Sequence, residues 1–373
     1  MRIGVLTLPL HTNFGGILQA YALQTVLERL GHEVVVFDRP FPMMKISCLK
    51  AMVAYPKRAL SKYLLGRKGI CVRYEKHVNY VNRTMRQHTQ RFIDNYIHRK
   101  EVTDMKQLKE ICYDAIVVGS DQIWRPKYYP HIEEAFLDFA EDWKVKRIAY
   151  APSFGVDDWE YDNTQTENCK RLIGKFDAVS VRERSGVELC RKHLCHEAQW
   201  VLDPTMLLHT NDYIRLFEAT DTPKSDGTLL NYVLDPTEKT EHLMQYLASN
   251  LGFKPFRLNS RTEDATAPLE ERVQPPVEQW LRGFYDAKFV VTDSFHACVF
   301  SILFKKQFLV VMNENRGMAR IVNLLGYFGL EDRIVSNAAI IKELKPIDYD
   351  NAYKRFDVMR ENSMRFLKSV LDS

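Results

Sequence analysis

The sequence predicts an α/β protein of two Rossmann-like halves facing a central cleft, with a helical basic insertion in the first half. Three observations predict it. A strand–helix–strand pattern opens the chain, a second alternating series begins near residue 229, and the rhythm breaks between them at Asp203-Pro204-Thr205. The length, 373 residues, suits two domains. The expected division is 1–205, carrying the insertion at about 43–100, and 206–345. A closing segment, 346–373, holds a helix that would pack back on the first half.

Residues 3–8 read as a buried strand running straight into His11, Thr12 and Asn13, with no small-residue cleavage site behind it. A helix follows over 16–30, because Ile17, Leu18, Tyr21, Leu23, Leu27 and Leu30 recur at helical spacing. Gly31 supplies the left-handed residue that closes it. Further apolar runs at 34–37, 115–118, 147–150, 178–181 and 199–202 read as strands. The second series predicts strands at 229–233, 253–258, 289–292 and 308–312, with helices at 237–249, 277–285 and 295–304 between them, and a last helix at about 352–371.

Hydrophobic residues make up 46% and charged residues 27%, which excludes a disordered chain. No stretch has the roughly 18 apolar residues of a spanning helix. Seven scattered cysteines do not form a disulfide framework, so a reducing, cytoplasmic setting is expected. The net charge of +4 is unevenly spread. Residues 43–100 hold fourteen Lys and Arg against Glu75 and Asp94, and the rest of the chain is net acidic. That asymmetry points to an anionic partner. Within it Leu49, Met52, Leu60, Tyr63 and Leu64 alternate with Lys50, Lys57, Arg58 and Lys62, a pattern suited to peripheral contact with an anionic membrane or to a solvated insertion. No nucleic-acid motif accompanies the bases, so nucleic acid is not expected.

Chemistry should gather where strands end and helices begin, because ligands of open α/β sheets bind there. In the first such turn, Asn13 precedes Gly15 and Gly16 at a helix start, where free N–H groups favour an anion; equally, Asn13 caps the helix and the glycines allow a tight turn. Asp121 and Gln122 are candidates to grip sugar hydroxyls, and Trp124 to stack on a sugar face. Arg182 is a candidate clamp for a carboxylate or phosphate, or a surface partner of Glu183. Asp293-Ser294-Phe295-His296 opens a helix of the second half, and its histidine can act as acid or base near neutral pH. Arg316 and Arg320 stand at the next helix start and suit an anion. Cys190, His193, Cys195 and His196 are zinc-binding residue types at a spacing that matches no common site, so no metal is expected.

Taken in order, these turns resemble the polysaccharide pyruvyl transferase family. The resemblance rests on Asn13-Phe14-Gly15-Gly16, Gly119-Ser120-Asp121-Gln122-Ile123-Trp124, Ala149-Tyr150-Ala151-Pro152-Ser153-Phe154-Gly155, Ser180-Val181-Arg182-Glu183, Leu202-Asp203-Pro204-Thr205, Asp293-Ser294-Phe295-His296 and Asn315-Arg316-Gly317. It spans about residues 2–333. It implies a GT-B-like fold and transfer of pyruvate from phosphoenolpyruvate onto two hydroxyls of a sugar, giving a cyclic ketal and phosphate, with no cofactor beyond that donor. The implied acceptor is a sugar of a bacterial surface polysaccharide, carried on a lipid diphosphate at the inner membrane face. His296 matches the family's histidine and Arg182 one donor arginine; where relatives carry Arg-Leu-His, this chain has Ser294-Phe295-His296. The expected site is therefore His296 as catalyst, Arg182, Ser294, Phe295, Arg316, Arg320, Gly15 and Gly16 at the donor, and Asn13, Asp121, Gln122 and Trp124 at the acceptor. The rival readings are a GT-B glycosyltransferase using a nucleotide sugar, with Glu278 or Asp293 gripping its ribose, and a non-catalytic sugar- or anion-binding relative.

Overall fold

The structure is a computed structural model that describes residues 1–313, 318–335 and 345–372. Seven parallel strands form the first sheet: β1 (Arg2–Leu6), β2 (Glu33–Asp38), β3 (Arg99–Glu101), β4 (Ala115–Val118), β5 (Lys146–Ala149), β6 (Ala178–Val181) and β7 (Gln199–Trp200). Their order is β3-β2-β1-β4-β5-β6-β7. The central strands read as unbroken apolar runs because helices cover both faces of a parallel sheet. Helix α1 (Phe14–Arg29) is capped by Asn13, whose side chain accepts from the Gly16 N–H. Gly31 follows its end with φ of 90°. The chain thus enters α1 at the carboxyl end of β1, the edge where ligands collect.

The insertion is two helices, α2 (Cys48–Tyr63) and α3 (Tyr74–Tyr96). α2 continues through Pro56. α3 buries Met85, Thr89, Phe92 and Ile93, and Phe92 packs on Tyr21 of α1. Helices α4 (Asn163–Ile173), α5 (Arg184–Leu194) and α6 (Thr210–Glu218) follow.

The second sheet holds β8 (Leu229–Tyr232), β9 (Pro255–Arg257), β10 (Phe289–Thr292), β11 (Gln307–Val311) and β12 (Ile334–Val335), in the order β12-β11-β10-β8-β9, again all parallel. Around it lie α7 (Glu238–Leu251), α8 (Leu269–Arg272), α9 (Val277–Asp286), α10 (Phe295–Leu303) and α11 (Met318–Phe328). Every residue of α10 is buried, as expected of a helix held between a sheet and the other half. One apolar core runs from Ile3 and Leu23 in the first half to Trp280 and Phe300 in the second. The last helix, α12 (Tyr349–Asp372), touches both halves: Phe366 lies on Tyr150 and Ser363 accepts from the Leu202 N–H, while the Tyr353 hydroxyl donates to Leu303 O.

Candidate functional site

Two helix starts meet across the cleft. Helix α10 begins at Ser294, which makes no side-chain cap, so the first N–H groups of that helix are left for another acceptor. His296 sits in the first turn and turns its imidazole onto Gly15 of α1. A Cβ built on Gly15 would lie 2.1 Å from His296 Nδ1. Gly15 and Gly16 both have ordinary negative φ, so Gly15 is required by the close approach of the ring and not by a special turn.

Beneath this contact lies a buried charged floor. It is assembled from Asp121 after β4, Arg182 and Glu183 after β6, Asp203 after β7 and His296 on α10. The Arg182 side chain is 1% exposed. It donates to Asp203 Oδ2 at 2.6 Å and to Asp121 Oδ1 at 3.2 Å. Asp203 also accepts from Ser120 Oγ at 3.2 Å and from the Thr205 N–H and hydroxyl at 3.0 and 2.6 Å. His296 Nε2 stands 3.6 Å from Asp203 Oδ2, beyond hydrogen-bond length, and has no hydrogen-bond partner among the described residues. Burial pushes the Asp203 carboxyl up, but His296 and Arg182 outweigh it and hold it well below the usual carboxylate range. Asp121 is lowered in the same contest, with Arg182 the leading opponent of burial. Its φ of 62° is an outlier for a non-glycine residue, and it is kept in place by the Ser153 N–H, which donates to its carbonyl at 2.8 Å. Glu183 accepts from Ser153 Oγ and the Phe154 N–H at 2.9 and 2.8 Å, and burial raises its pKa.

Above the floor opens a cavity of about 610 Å³ walled by both halves. Of the expected residues, Asn13, Gly15, Asp121, Gln122, Ser294, Phe295, His296 and Arg320 line it. Gly16 lies just behind, and a Cβ there would be 3.6 Å from Asp121 Oδ2. Arg320 is buried, and burial reinforced by Arg182 lowers its pKa to about 10, which leaves it cationic at neutral pH.

Two expected placements are corrected. Trp124 is fully buried, stacked on Phe136 with ring centroids 4.7 Å apart, and its indole N–H donates to Ala135 O. It is a core residue and offers no face to a sugar. Arg182 is neither a surface partner of Glu183 nor part of the cavity wall. Its guanidinium is spent on two carboxylates and covered by the Phe295 ring at 4.3 Å. Arg316 lies outside the described residues. The cysteine and histidine cluster is dispersed: Cys190 is buried, Cys195 exposed and His193 stacked on Trp159. Among the described residues no group of three or more His, Cys, Asp or Glu could hold a metal ion.

Comparison with known proteins decides the family. The model of the family "Polysaccharide pyruvyl transferase" matches residues 13–315. The chain belongs to the polysaccharide pyruvyl transferase family. It is therefore a member of a transferase family. No curated protein matches it. Among solved structures, the UDP-GlcNAc 2-epimerase from Neisseria meningitidis, bound to UDP-GlcNAc, aligns with a TM-score of 0.50 at 9% identity, over 100% of this chain and 99% of its own. A glycosyltransferase from Rickettsia africae aligns at 0.49 and 9%, over 99% and 98%. The fold is GT-B-like, two Rossmann-like domains over a cleft.

For this pyruvyl transferase family member, sequence reasoning missed the role of Asp203, the hub of the floor. Its signal was hidden, since Asp-Pro-Thr reads as a local cap and Asp203 does perform that cap through Oδ1 while Oδ2 serves Arg182 and faces His296. Glu183 and Ser153 were also missed in their paired role, as was Gln274. That residue lines the cavity and donates to Thr12 O at 2.9 Å. As a whole the arrangement offers a fixed cation, helix-start N–H groups and an imidazole backed by a carboxylate on the wall of one cavity.

Proposed function

We propose that this chain transfers pyruvate from phosphoenolpyruvate onto two hydroxyls of a sugar, closing a cyclic ketal and releasing phosphate. The observation that carries the reading is His296: its Nε2 is buried at the cavity wall without a hydrogen-bond partner among the described residues, and the ionised Asp203 stands 3.6 Å away to counter a positive imidazole. The uncapped start of α10 and the Arg320 guanidinium support a ligand with two anionic groups, and phosphoenolpyruvate carries a phosphate and a carboxylate.

In this mechanism His296 protonates the methylene carbon of the enol. The cationic carbon then takes a sugar hydroxyl, which gives up its proton. Phosphate leaves with the C–O bonding pair, and the second hydroxyl adds to the same carbon with loss of its proton. Arg182 acts as a positioning residue, because it fixes the Asp203 carboxylate that faces the imidazole. Asn13, Asp121 and Gln122, which also line the cavity, are the proposed acceptor contacts. The proposed acceptor is a sugar of a surface polysaccharide precursor carried on a lipid diphosphate, and the proposed setting is the cytoplasmic face of a bacterial inner membrane.

A nucleotide-sugar reading finds less support. Glu278 is buried against Arg91 and does not line the cavity, and the Asp293 carboxylate is engaged by the Leu234 and Asp235 N–H groups and by Asn313, so neither expected ribose grip is well placed. The test combines ligand-induced melting shifts with phosphate release. Phosphoenolpyruvate at about 100 times its Kd should add about 2.7 kcal/mol, a rise of several degrees, to wild type and to His296→Ala alike. The variant should lose about 10²- to 10⁴-fold in phosphate release with acceptor present. A melting shift with nucleotide sugars alone would overturn the donor, and an unchanged rate in His296→Ala would remove that residue from the chemistry.

A further inference from the structure

We propose that helix α2 is a docking face for an anionic lipid bilayer. The helix is mounted with its apolar side outward. Ala51, Ala54, Tyr55, Arg58 and Ser61 are half-buried toward the protein, and Arg58 fastens the helix through two 2.8 Å hydrogen bonds to Glu75 at the head of α3. On the opposite side Leu49, Met52, Val53, Leu60, Tyr63 and Leu64 are exposed, Leu49 to 79% and Leu64 to 75%. At 3.6 residues per turn these six side chains, with Pro56, fall within one arc of about 120°. None of the sixteen residues of α2 is buried, which is unusual for a helix with a well-formed apolar stripe. Met43 and Met44 ahead of it and Leu65 behind it are exposed as well.

Charge selects the occupant. From Arg39 to Tyr74 the chain carries nine Lys and Arg and no acid, while the rest of the molecule is net acidic. Lys50 and Lys57 border the apolar arc, and Lys62 is exposed beyond it. Arg58 is excluded from the face by its pairing with Glu75. Hydrocarbon flanked on one side by lysines, in a stretch without an acid, matches acyl chains beneath negative head groups. A second copy would set the same lysines against one another across a two-fold axis. Among the described residues no helix is long and apolar enough to cross a membrane, so this contact would lie on the surface.

The helix that carries the face also touches the cavity lining. α3, which carries α2, accepts the Gln274 N–H at Met85 O over 3.0 Å, and Gln274 lines the cavity. A bilayer held at α2 would therefore bring a lipid-borne acceptor to the cavity rim, a consequence that rests on the catalytic reading above; the docking itself does not.

The test is sedimentation of the full chain with vesicles of phosphatidylglycerol or of phosphatidylcholine. The protein should sediment with the first and stay free with the second, and binding should fall as salt rises. Lys50→Glu/Lys57→Glu/Lys62→Glu should cut partitioning about 100-fold. Leu49→Gln/Leu60→Gln/Leu64→Gln should cut it at least about 10-fold, with melting unchanged. Wild type that ignores phosphatidylglycerol vesicles would overturn the proposal, as would leucine variants that bind as tightly as wild type. Light scattering that shows a wild-type dimer and a monomeric leucine variant would assign the face to a second copy and equally end it. No arm of this test depends on turnover, so a failure here leaves the catalytic reading to its own assay.

Discussion

The floor of the cleft and the outer face of α2 both invert the ordinary partition of side chains, in opposite senses. In the floor, Asp121, Arg182, Glu183 and Asp203 are charges taken out of water. On α2, hydrocarbon is left in it. The difference lies in what answers each inversion. Each floor charge is met by groups of the chain, most of them from distant segments: Arg182 by two carboxylates, Asp203 by Ser120 and Arg182 and by its near neighbour Thr205, Glu183 by Ser153 and Phe154. Most of the cost of burial is offset inside the chain, though Arg182 Nε and Glu183 Oε2 are buried without a hydrogen-bond partner among the described residues. Nothing among the described residues covers the exposed leucines. An inversion compensated internally marks a site built to hold charge in fixed positions, and one left uncompensated points to a partner outside the molecule.

The largest expected effect breaks the internal compensation. Asp203→Asn keeps the shape of the side chain but leaves Arg182 with Asp121 alone. Stability at pH 7 should fall by about 3–5 kcal/mol, read by denaturant melts. The pH dependence gives the sign. The Asp203 carboxyl is depressed below its ordinary 3.8, so its contribution is present above that pH and is lost as pH falls through the depressed value. The gap between wild type and variant should therefore be widest near neutrality and close only below about pH 3.8. A gap that stays constant down to strong acid would show that the charge of Asp203 does not hold the floor.

A smaller stability effect with a large functional one is expected at Gly15. The added methyl of Gly15→Ala would sit 2.1 Å from His296 Nδ1, so the imidazole must leave its seat. Overpacking of this kind costs about 1–3 kcal/mol. Phosphate release should drop by at least about 100-fold, because the acid loses its position while the helix keeps its backbone. A variant that turns over normally would mean that the contact between the two helix starts is packing only.

How much of this could be read in advance follows from the same partition. The two sheets were legible because a parallel strand covered on both faces is a continuous apolar run, as in Ala115–Val118 and Phe289–Thr292. The edge strand Arg99–Glu101 is three charged residues and carries no such signal. Most wall residues were legible because they follow those runs directly. Trp124 also follows one, yet its ring turns into the core, and no local pattern states which way a side chain leaves a strand end. Asp203 was hidden because its cap accounts for it locally, whereas its bond to Arg182 crosses 21 positions. The amphipathic pattern of α2 was visible, but its orientation was not. The usual expectation for an apolar stripe is the inward one, and it is the exposure of Leu49, Leu60 and Leu64, with the Arg58–Glu75 anchor behind them, that reveals a stripe facing out.

The smallest expected effect is the sharpest test of the comparison. Leu49→Gln/Leu60→Gln/Leu64→Gln removes three large apolar side chains from one helix. Glutamine and leucine have similar helix propensity, so the backbone loses little. If the face has no partner within the chain, the three changes together should move stability by no more than about 0.5 kcal/mol in the absence of lipid. One buried leucine of α1, Leu23→Ala, should by contrast cost about 2–5 kcal/mol in the same denaturant melt. A loss of several kcal/mol from the α2 triple would mean that the stripe packs against the protein in solution. The two inversions would then be alike, both answered from within the chain.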